Sequence, residues 1–192
     1  MGSSQAHKAA SHRRIVEVAS RRIRRDGIDG VSVAELMQQA GLTHGGFYRH
    51  FDSRDQLVAE AIAEALVQGS RRVEVSAAAG GPQTLAAIID GYLSRPHRDK
   101  PETGCAVAAL PTDIARTDRA ARTAYSRRVR TYIDLLISLS PARDPDGAHL
   151  ILATLVGALV LARAVDDRLL SDEILDGAAR ALHHYVETVL EV

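Results

Sequence analysis

The chain has 192 residues, 25% of them charged and 46% hydrophobic, and its basic and acidic residues balance to a formal net charge of zero. That length allows a substantial core in one or two domains. The single cysteine, Cys105, excludes an intrachain disulfide, and no leader of the secretory type is visible. Because the longest apolar run, 150–162, is too short to span a bilayer, we expect a cytoplasmic protein without a membrane partner.

Proline is sparse and alternating β-branched residues are absent, which predicts an all-α fold. Residues 1–9 are polar and are expected to form a disordered arm, after which a first helix should cover 10–25. Residues 1–51 hold eight Lys or Arg against four Asp or Glu. An arginine-rich helix is by itself most often a solvated face, but a basic segment also suits the binding of phosphates.

A helix and a tight turn are predicted from residue 32 onward. Ser32 and Glu35 have the spacing of a capping box, in which each side chain satisfies a backbone N–H at a helix start. This helix should end at Gly41, since glycine readily adopts the left-handed conformation. Apolar residues at helical spacing predict its buried face: Val33, Leu36, Met37 and Ala40.

A second short helix is expected over 44–50, with Thr43 as its cap. Phe47 and Phe51 are four residues apart and should point to the core. Two glycines near a helix start cost about 1 kcal/mol each relative to alanine, which indicates close approach of the backbone to another molecule. The remaining residues form an outward surface suited to the major groove of double-stranded DNA and its phosphates: Thr43, His44, Gly45, Tyr48, Arg49 and His50.

Roles within this surface follow from residue chemistry. The backbone N–H of Ser32, at a helix start, is placed for a phosphate, although Ser32 serves equally well as a cap alone. The role of His50 is ambiguous. Arg49 and His44 are candidates for contacts with phosphates or bases. Thr43 and Tyr48 are candidates for hydrogen bonds to phosphate oxygens.

The segment 33–57 resembles the DNA-binding domain of the TetR/AcrR family of bacterial transcriptional regulators, over the string VAELMQQAGLTHGGFYRHFDSRDQL. The resemblance is specific over about 10–66. It implies a helix-turn-helix domain over 10–52 and a larger α-helical effector-binding and dimerisation domain over 53–192, with about nine helices in total. It also places Arg54 at a phosphate contact, at the start of the helix that joins the two domains.

Helix signals continue through the second domain. The joining helix should open with a capping box at Ser53 and run to about 76, followed by a flexible segment at 77–81. Polar residues 97–101 are read as a loop. Further helices are expected from Pro82, from Cys105 until Pro111, over 118–139, over 144–166, and from a cap at Ser171. The Gly104-Cys105 opening resembles one subgroup of the same family.

The apolar run at 150–162 covers nearly the whole circumference of its helix, so it must be covered on two faces. Pairing of the last two helices with their copies would give a homodimer with a four-helix interface, as the resemblance implies. The alternative is a helix that is only the core of a monomer. The candidate interface residues are Leu152, Leu155, Leu159, Leu182, Tyr185 and Val186.

A small-molecule effector is expected between the helices of the second domain. Four residues are candidates for its site: Tyr92, Cys105, Tyr125 and Tyr132. An effector bound by them would be largely apolar with one or two polar groups. Tyrosines on such stripes are also ordinary core residues. Cys105 at a helix start is either a reactive thiol that senses oxidants or electrophiles or a small packing residue.

The sequence thus predicts a homodimeric repressor that leaves a near-palindromic operator when an effector binds. An enzyme using Cys105 with His97 is a remote alternative, because no orienting group or oxyanion site is visible. We expect no cofactor and no metal, since the adjacent His183 and His184 point to different faces of their helix.

Overall fold

A computed structural model describes residues 2–69, 84–140 and 143–189 of the protein. This part of the chain consists of helices joined by turns, without a strand, which confirms the all-α prediction. The α-helices are α1 Gly2–Asp26, α2 Val33–Gln39, α3 Arg54–Gln68, α4 Thr84–Tyr92, α5 Arg95–Asp99, α6 Ala106–Ala109, α7 Pro111–Ala115, α8 Arg119–Leu139, α9 Pro145–Ala164 and α10 Arg168–Val189. Two 3₁₀ helices cover His44–Arg49, which we call the recognition segment, and Pro101–Thr103.

The described residues thus hold more helices than the nine expected, and the excess comes from residues 95–115. A proline lacks the N–H that continues a helix, but it suits a first turn. The loop predicted for 97–101 is therefore wrong, because His97 and Arg98 are buried within α5. Three prolines each lie in the first turn of a short helix: Pro96, Pro101 and Pro111.

Helix α1 begins at Gly2, so the disordered arm predicted for 1–9 is wrong for residues 2–9. The stretch contains no proline, and its alanines, Gln5 and Lys8 have good helix propensity. The flexible segment predicted at 77–81 and the helix start predicted at Pro82 lie outside the described residues.

The N-terminal helices pack around two stacked phenylalanines. The rings of Phe47 and Phe51 are both buried, with centroids 5.4 Å apart. Two turns set the angles between the helices, and their glycines have a left-handed backbone: φ is +77° at Gly27 and, as predicted, +73° at Gly41. The recognition segment is a 3₁₀ helix where an α-helix was expected, and it is closed by the bond from the Gly46 N–H to the Thr43 carbonyl at 2.9 Å.

Some predicted caps form and others do not. The Ser53 hydroxyl accepts the N–H of Gln56 at 3.1 Å, as expected. Neither Ser32 nor Thr43 makes a side-chain cap bond. Glu35 does not complete its capping box because it pairs with Arg22 of α1 at 3.0 Å, which ties α2 to α1 instead.

Helix α10 begins earlier than predicted. The carboxylate of Asp167 accepts the N–H of Leu169 at 2.8 Å and caps the helix there. Ser171 is therefore an internal residue, and its buried hydroxyl donates to the Ala162 carbonyl at 2.6 Å. This bond and the contacts around it fix α10 against α9.

Helix α9 is the central helix of the C-terminal part, and α8 and α10 pack against it. By length and composition alone it can cross a membrane, so the sequence estimate from run 150–162 was too short. The core helix of a soluble protein has the same length and composition, and 44% of the most apolar part of α9 is buried in the protein. One buried core runs from the N-terminal helices into this part, so the predicted domain boundary at 52/53 stays a prediction.

The predicted dimer residues need correction. Leu152, Leu155, Leu159 and Leu182 are all buried inside the single chain, so they cannot meet a partner and their assignment to an interface is wrong. Tyr185 and Val186 are half-buried against the core. Apolarity around a whole helix shows that it is covered, but not which side is covered by the same chain.

Candidate nucleic-acid interface and effector pocket

The recognition segment presents a continuous polar surface. Its inner side is held by Phe47, whose ring packs edge-on against that of Tyr48 with centroids 5.2 Å apart. Tyr48 is 76% exposed although it is aromatic, which is unusual for a residue with no external partner. The structure brings together on the outside five of the predicted DNA-binding residues: Thr43, His44, Gly45, Tyr48 and Arg49.

The two glycines of the segment are not equivalent. A Cβ on Gly46 would lie 3.6 Å from Met37 Cε, an ordinary packing contact, whereas a Cβ on Gly45 would meet nothing within 4 Å. Neither residue has a left-handed φ. Packing within the chain therefore does not require glycine at 45, which fits a backbone kept bare for an external molecule.

His50 differs from its neighbours because it is half-buried. Its ring lies 6.3 Å from that of His12, and its Nδ1 has no partner among the described residues. Partial burial lowers the pKa of His50, and the positive charges of His12, Lys8 and Arg49 lower it further. His12 itself stacks on Phe51 and lies 2.6 Å from the Glu60 carboxylate.

Ser32 and Arg54 flank this surface. Ser32 is exposed at the start of α2, with its hydroxyl unused for capping. Arg54 is exposed at the start of α3, and its Nη2 donates to the Ile28 carbonyl at 2.8 Å. A guanidinium has five N–H donors, so this bond positions Arg54 and still leaves donors for a phosphate.

The basic charge of α1 is less available than the sequence suggests. Arg22 pairs with Asp26 at 2.7 Å and with Glu35, and Arg25 pairs with Asp26 at 2.8 Å. Arg24 is 4% exposed. The positive charges near the recognition segment include those of Arg49, exposed in the segment itself, Arg54 at the start of α3, and Lys8, which is close enough to act on His50.

A small apolar pocket of about 20 Å³ lies between α4, α8 and α9. Tyr92 and Tyr132, two of the predicted effector residues, line it together with Leu136 and Leu155. The Tyr92 hydroxyl is buried without a hydrogen-bond partner among the described residues. Burial raises the pKa of Tyr92 well above its usual range, and the nearby Cys105 thiol raises it further, so this hydroxyl stays protonated.

Comparison with known proteins settles the family. Residues 15–61 match the model of the tetR family of bacterial regulatory proteins. An HTH-type transcriptional regulator of Mycobacterium tuberculosis is 29% identical over 80% of this chain and 84% of its own length, and the HTH-type transcriptional regulator BetI of Agrobacterium fabrum is 30% identical over 70% and 66%. The chain belongs to the TetR family. It is a transcriptional regulator.

Solved structures agree with this assignment. A TetR transcriptional regulator from Chloroflexus aurantiacus superposes with a TM-score of 0.81 at 25% identity, over 95% of this chain and 97% of the other. The reduced form of NemR from Escherichia coli gives a TM-score of 0.76 at 17% identity over 91% and 96%, which shows a shared fold. The surface at 43–49 therefore belongs to the helix-turn-helix of a TetR-family protein.

In this TetR-family chain Cys105 is a buried residue, 2% exposed, at the N-cap of α6. Its Sγ lies 3.8 Å from the Tyr132 hydroxyl. The backbone N–H of Cys105 donates to His97 Nε2 at 3.0 Å, and His97 Nδ1 lies 2.6 Å from the Tyr92 carbonyl. Both ring nitrogens of His97 thus serve backbone groups, which does not favour the Cys–His pair of the enzyme alternative.

Tyr125 lies apart from the other predicted effector residues. Its hydroxyl donates to the Val107 carbonyl at 2.8 Å, and burial together with Cys105 raises its pKa to about 12. The ring borders an open groove of about 560 Å³ with Arg130 and His149, on the outer side of α8 and α9. Of the four predicted residues, only Tyr92, Cys105 and Tyr132 therefore meet.

Sequence reasoning missed the buried arginines of this TetR-family protein. Arg24 was expected on a solvated helix face and Arg98 in a loop, yet both are buried, and together with the half-buried Arg163 they lie at the junction of α1, α5 and α9. A signal for Arg24 was present in the spacing: it follows the buried Val16 and Ser20 at intervals of four.

Proposed function

We propose that the protein is a homodimeric repressor that binds a near-palindromic operator and leaves it when a small, largely apolar effector binds. The observation that carries this proposal is the outward surface at 43–49, held from behind by Phe47 and Phe51. It combines an exposed phenol, guanidinium, imidazole and hydroxyl with a bare backbone at Gly45. These are the groups that contact base edges and phosphates in a major groove.

The outward side of α9 and α10 supports the dimer. Leu161 is 57% exposed, and Leu150 and Leu170 are also exposed. A Cβ on Gly157 or Gly177 would meet nothing within 4 Å, so small residues leave both helices open to close approach by another helix. Pairing of these faces across a two-fold axis would bury the exposed leucines and bring two recognition segments to successive turns of the DNA.

The pocket beside Tyr92 supports the effector. Its apolar walls and the unsatisfied Tyr92 hydroxyl fit an apolar molecule with one polar handle. A volume of about 20 Å³ holds little more than one water molecule, so an effector must push α4, α8 and α9 apart. The ligand would thereby favour a conformation that the empty protein does not hold, which is the requirement for release from DNA.

The first test is titration of the full chain against labelled DNA from upstream of its own gene, at two salt concentrations and with excess unrelated DNA. Tight, competitor-resistant and salt-dependent binding is expected. A random-sequence selection with the same protein serves as the second arm, since the operator can lie elsewhere. If neither arm yields a preferred, near-palindromic sequence, the proposed function is wrong.

Thiol-based regulation is the second candidate function. The contact of Cys105 Sγ with the Tyr132 hydroxyl in the pocket wall favours it, because a change at the thiol would reach the effector site directly. Burial of Cys105 means that the reaction requires the same opening of the pocket. Iodoacetamide labelling of the folded protein, with Cys105→Ser as the blank, decides the matter: without labelling, the thiol is only a packing residue.

A further inference from the structure

A second cavity, of about 530 Å³, opens between the C-terminal ends of α1 and α9, the start of α10, and residues 98–109. It shares no lining residue with the pocket beside Tyr92 or with the recognition segment. Five arginines and two aspartates line it: Arg24, Arg25, Arg98, Arg163 and Arg168, with Asp99 and Asp166. We call it the arginine cleft.

Within the described residues, two of these arginines are withdrawn from water without a counter-ion: Arg24 is buried and Arg163 is half-buried. Arg24 donates to the Ser20 carbonyl at 3.0 Å, the Gly104 carbonyl at 3.2 Å and Gln68 Oε1 at 2.9 Å. Glu64 and Glu102 act on Arg24 only over a longer distance. Within the described residues Arg24 forms no ion pair with a carboxylate, although charges removed from water normally have one.

Arg163, which is half-buried, also lacks a counter-ion in the ranges that the structure describes. It donates to the Arg98 carbonyl at 3.1 Å and the His97 carbonyl at 2.6 Å, and among the described residues it too has no carboxylate partner. Burial lowers the pKa of Arg24 to about 10 and also lowers that of Arg163. A carbonyl carries only a partial charge, so these bonds orient both guanidinium groups without neutralising them.

The guanidinium groups of Arg24 and Arg163, neither of which has a counter-ion in the described part of the chain, both lie close to the backbone of Gly104. Gly104 accepts a bond from Arg24, and a Cβ added to Gly104 would come within 2.9 Å of Arg163 Nη2. Arg163 can therefore approach this closely only because residue 104 is a glycine without a side chain. One anion near this point would act on both guanidinium groups.

Two N–H donors without an acceptor among the described residues also belong to residues of the arginine cleft. Arg163 Nη1 and Arg98 Nη2 are buried without an acceptor in the part of the chain described, and both residues line the cleft. Arg98 is 4% exposed and is fixed by bonds to Asp99, Asp172 and Ser171. A buried N–H without an acceptor is costly, so a built but incomplete donor set indicates a missing acceptor.

We propose that the arginine cleft binds a small organic carboxylate. A carboxylate has two oxygens that accept charge-assisted hydrogen bonds, and Arg98 and Arg163 each offer one nitrogen without an acceptor among the described residues. The rest of the wall is small and apolar, including Ala108 and Val160, which suits a short hydrocarbon part. Asp99 is already paired with Arg98 and Arg168, but Asp166 adds a negative charge at the cleft, which favours a monoanion over a doubly charged phosphate.

The test is saturation-transfer NMR titration of the full chain with hexanoate and benzoate at constant ionic strength. Hexan-1-ol, which lacks the charge, and inorganic phosphate are titrated in parallel. Both carboxylates should bind and hexan-1-ol should bind at least about tenfold more weakly. Equal binding of the alcohol, binding of phosphate alone, or no binding of either carboxylate would overturn the proposal.

A matched pair of variants locates the site. Ala164 lies exposed on the rim of the cleft, so neither Ala164→Glu nor Ala164→Gln disturbs the core. Ala164→Glu should weaken carboxylate binding at least about tenfold by like-charge repulsion, whereas Ala164→Gln should retain it. Arg163→Gln should abolish binding, while Arg127→Gln, which removes an exposed arginine elsewhere, should not. Equal affinity of the two Ala164 variants would place the carboxylate outside the cleft.

Discussion

The carboxylate of Asp113, in α7, lies 3.2 Å from the backbone nitrogen of Ile28, the residue that follows left-handed Gly27. The end of α1 is thus held by a residue from the C-terminal part of the chain. A Cβ on Gly27 would lie 3.2 Å from the same carboxylate, so the glycine serves both the turn and this approach. Together with the bond from Arg24 to Gly104, this contact joins the N-terminal helices to the C-terminal part of the chain.

Removing this contact should loosen the end of α1. Asp113→Ala leaves the Ile28 N–H without its acceptor, which costs about 1–3 kcal/mol of unfolding free energy. Hydrogen exchange measured by mass spectrometry should then rise in a peptide covering 27–31. Asp113→Asn keeps an acceptor oxygen and is the control. Unchanged exchange in the alanine variant would show that the turn is held by other contacts.

Tyr48 should act on DNA and not on the fold. Because its side chain is exposed, Tyr48→Ala is expected to leave the midpoint of thermal unfolding unchanged while operator affinity falls by about 1–3 kcal/mol. Tyr48→Phe separates the hydroxyl from the ring. A loss equal to that of the alanine variant assigns the contact to the hydroxyl, and full retention assigns it to the ring. Electrophoretic mobility shift with the selected operator measures both.

Gly45 and Gly46 form an internal comparison. In the free protein Gly45→Ala adds a methyl group to empty space and should be neutral or stabilising by a few tenths of a kcal/mol. If DNA approaches the backbone there, the same change weakens operator binding. Gly46→Ala faces Met37 and should leave the DNA affinity nearly unchanged. Equal affinities for both variants and the parent chain would remove Gly45 from the interface.

Local sequence signals predicted the exposed side of the recognition segment well and the arginines at the junction of α1, α5 and α9 poorly. The side toward the core is fixed within a few residues by Phe47 and Phe51 and by the left-handed stop at Gly41, so the exposed residues follow from helical geometry alone. Arg98 has no such local signal. Its burial depends on Ser171 and Asp172, more than seventy positions away, and periodicity does not report contacts of that range.

The prediction of the dimer-interface residues was wrong for a related reason. Helix α9 is apolar on all sides, so its sequence predicts coverage without saying which face is covered by the same chain. The fold resolves this: Leu159 is fully buried, whereas Leu161, two residues on, is largely exposed. The capping box at Ser32 does not form because Glu35 pairs with Arg22, from another helix.

Dimer and core should respond to different substitutions in α9. Gly157→Leu and Leu161→Glu alter the outward face, so sedimentation should show monomers that unfold at nearly the parent temperature and no longer bind the operator tightly. Leu159→Ala opens a cavity in the protomer and should cost about 2–5 kcal/mol of unfolding free energy. If Leu161→Glu stays dimeric, the two-fold interface lies elsewhere.

The pH dependence of stability should carry a contribution from His50. Its pKa in the folded protein is below the usual value of about 6.5, because partial burial and the nearby charges of His12, Lys8 and Arg49 disfavour a second positive charge. The unfolded chain therefore takes up a proton first as the pH falls below about 6.5, so the unfolding free energy should decrease there and be fully retained above it. His50→Gln should flatten this part of the profile in urea titrations between pH 7.5 and 5. The same slope in parent and variant would assign the proton uptake to another group.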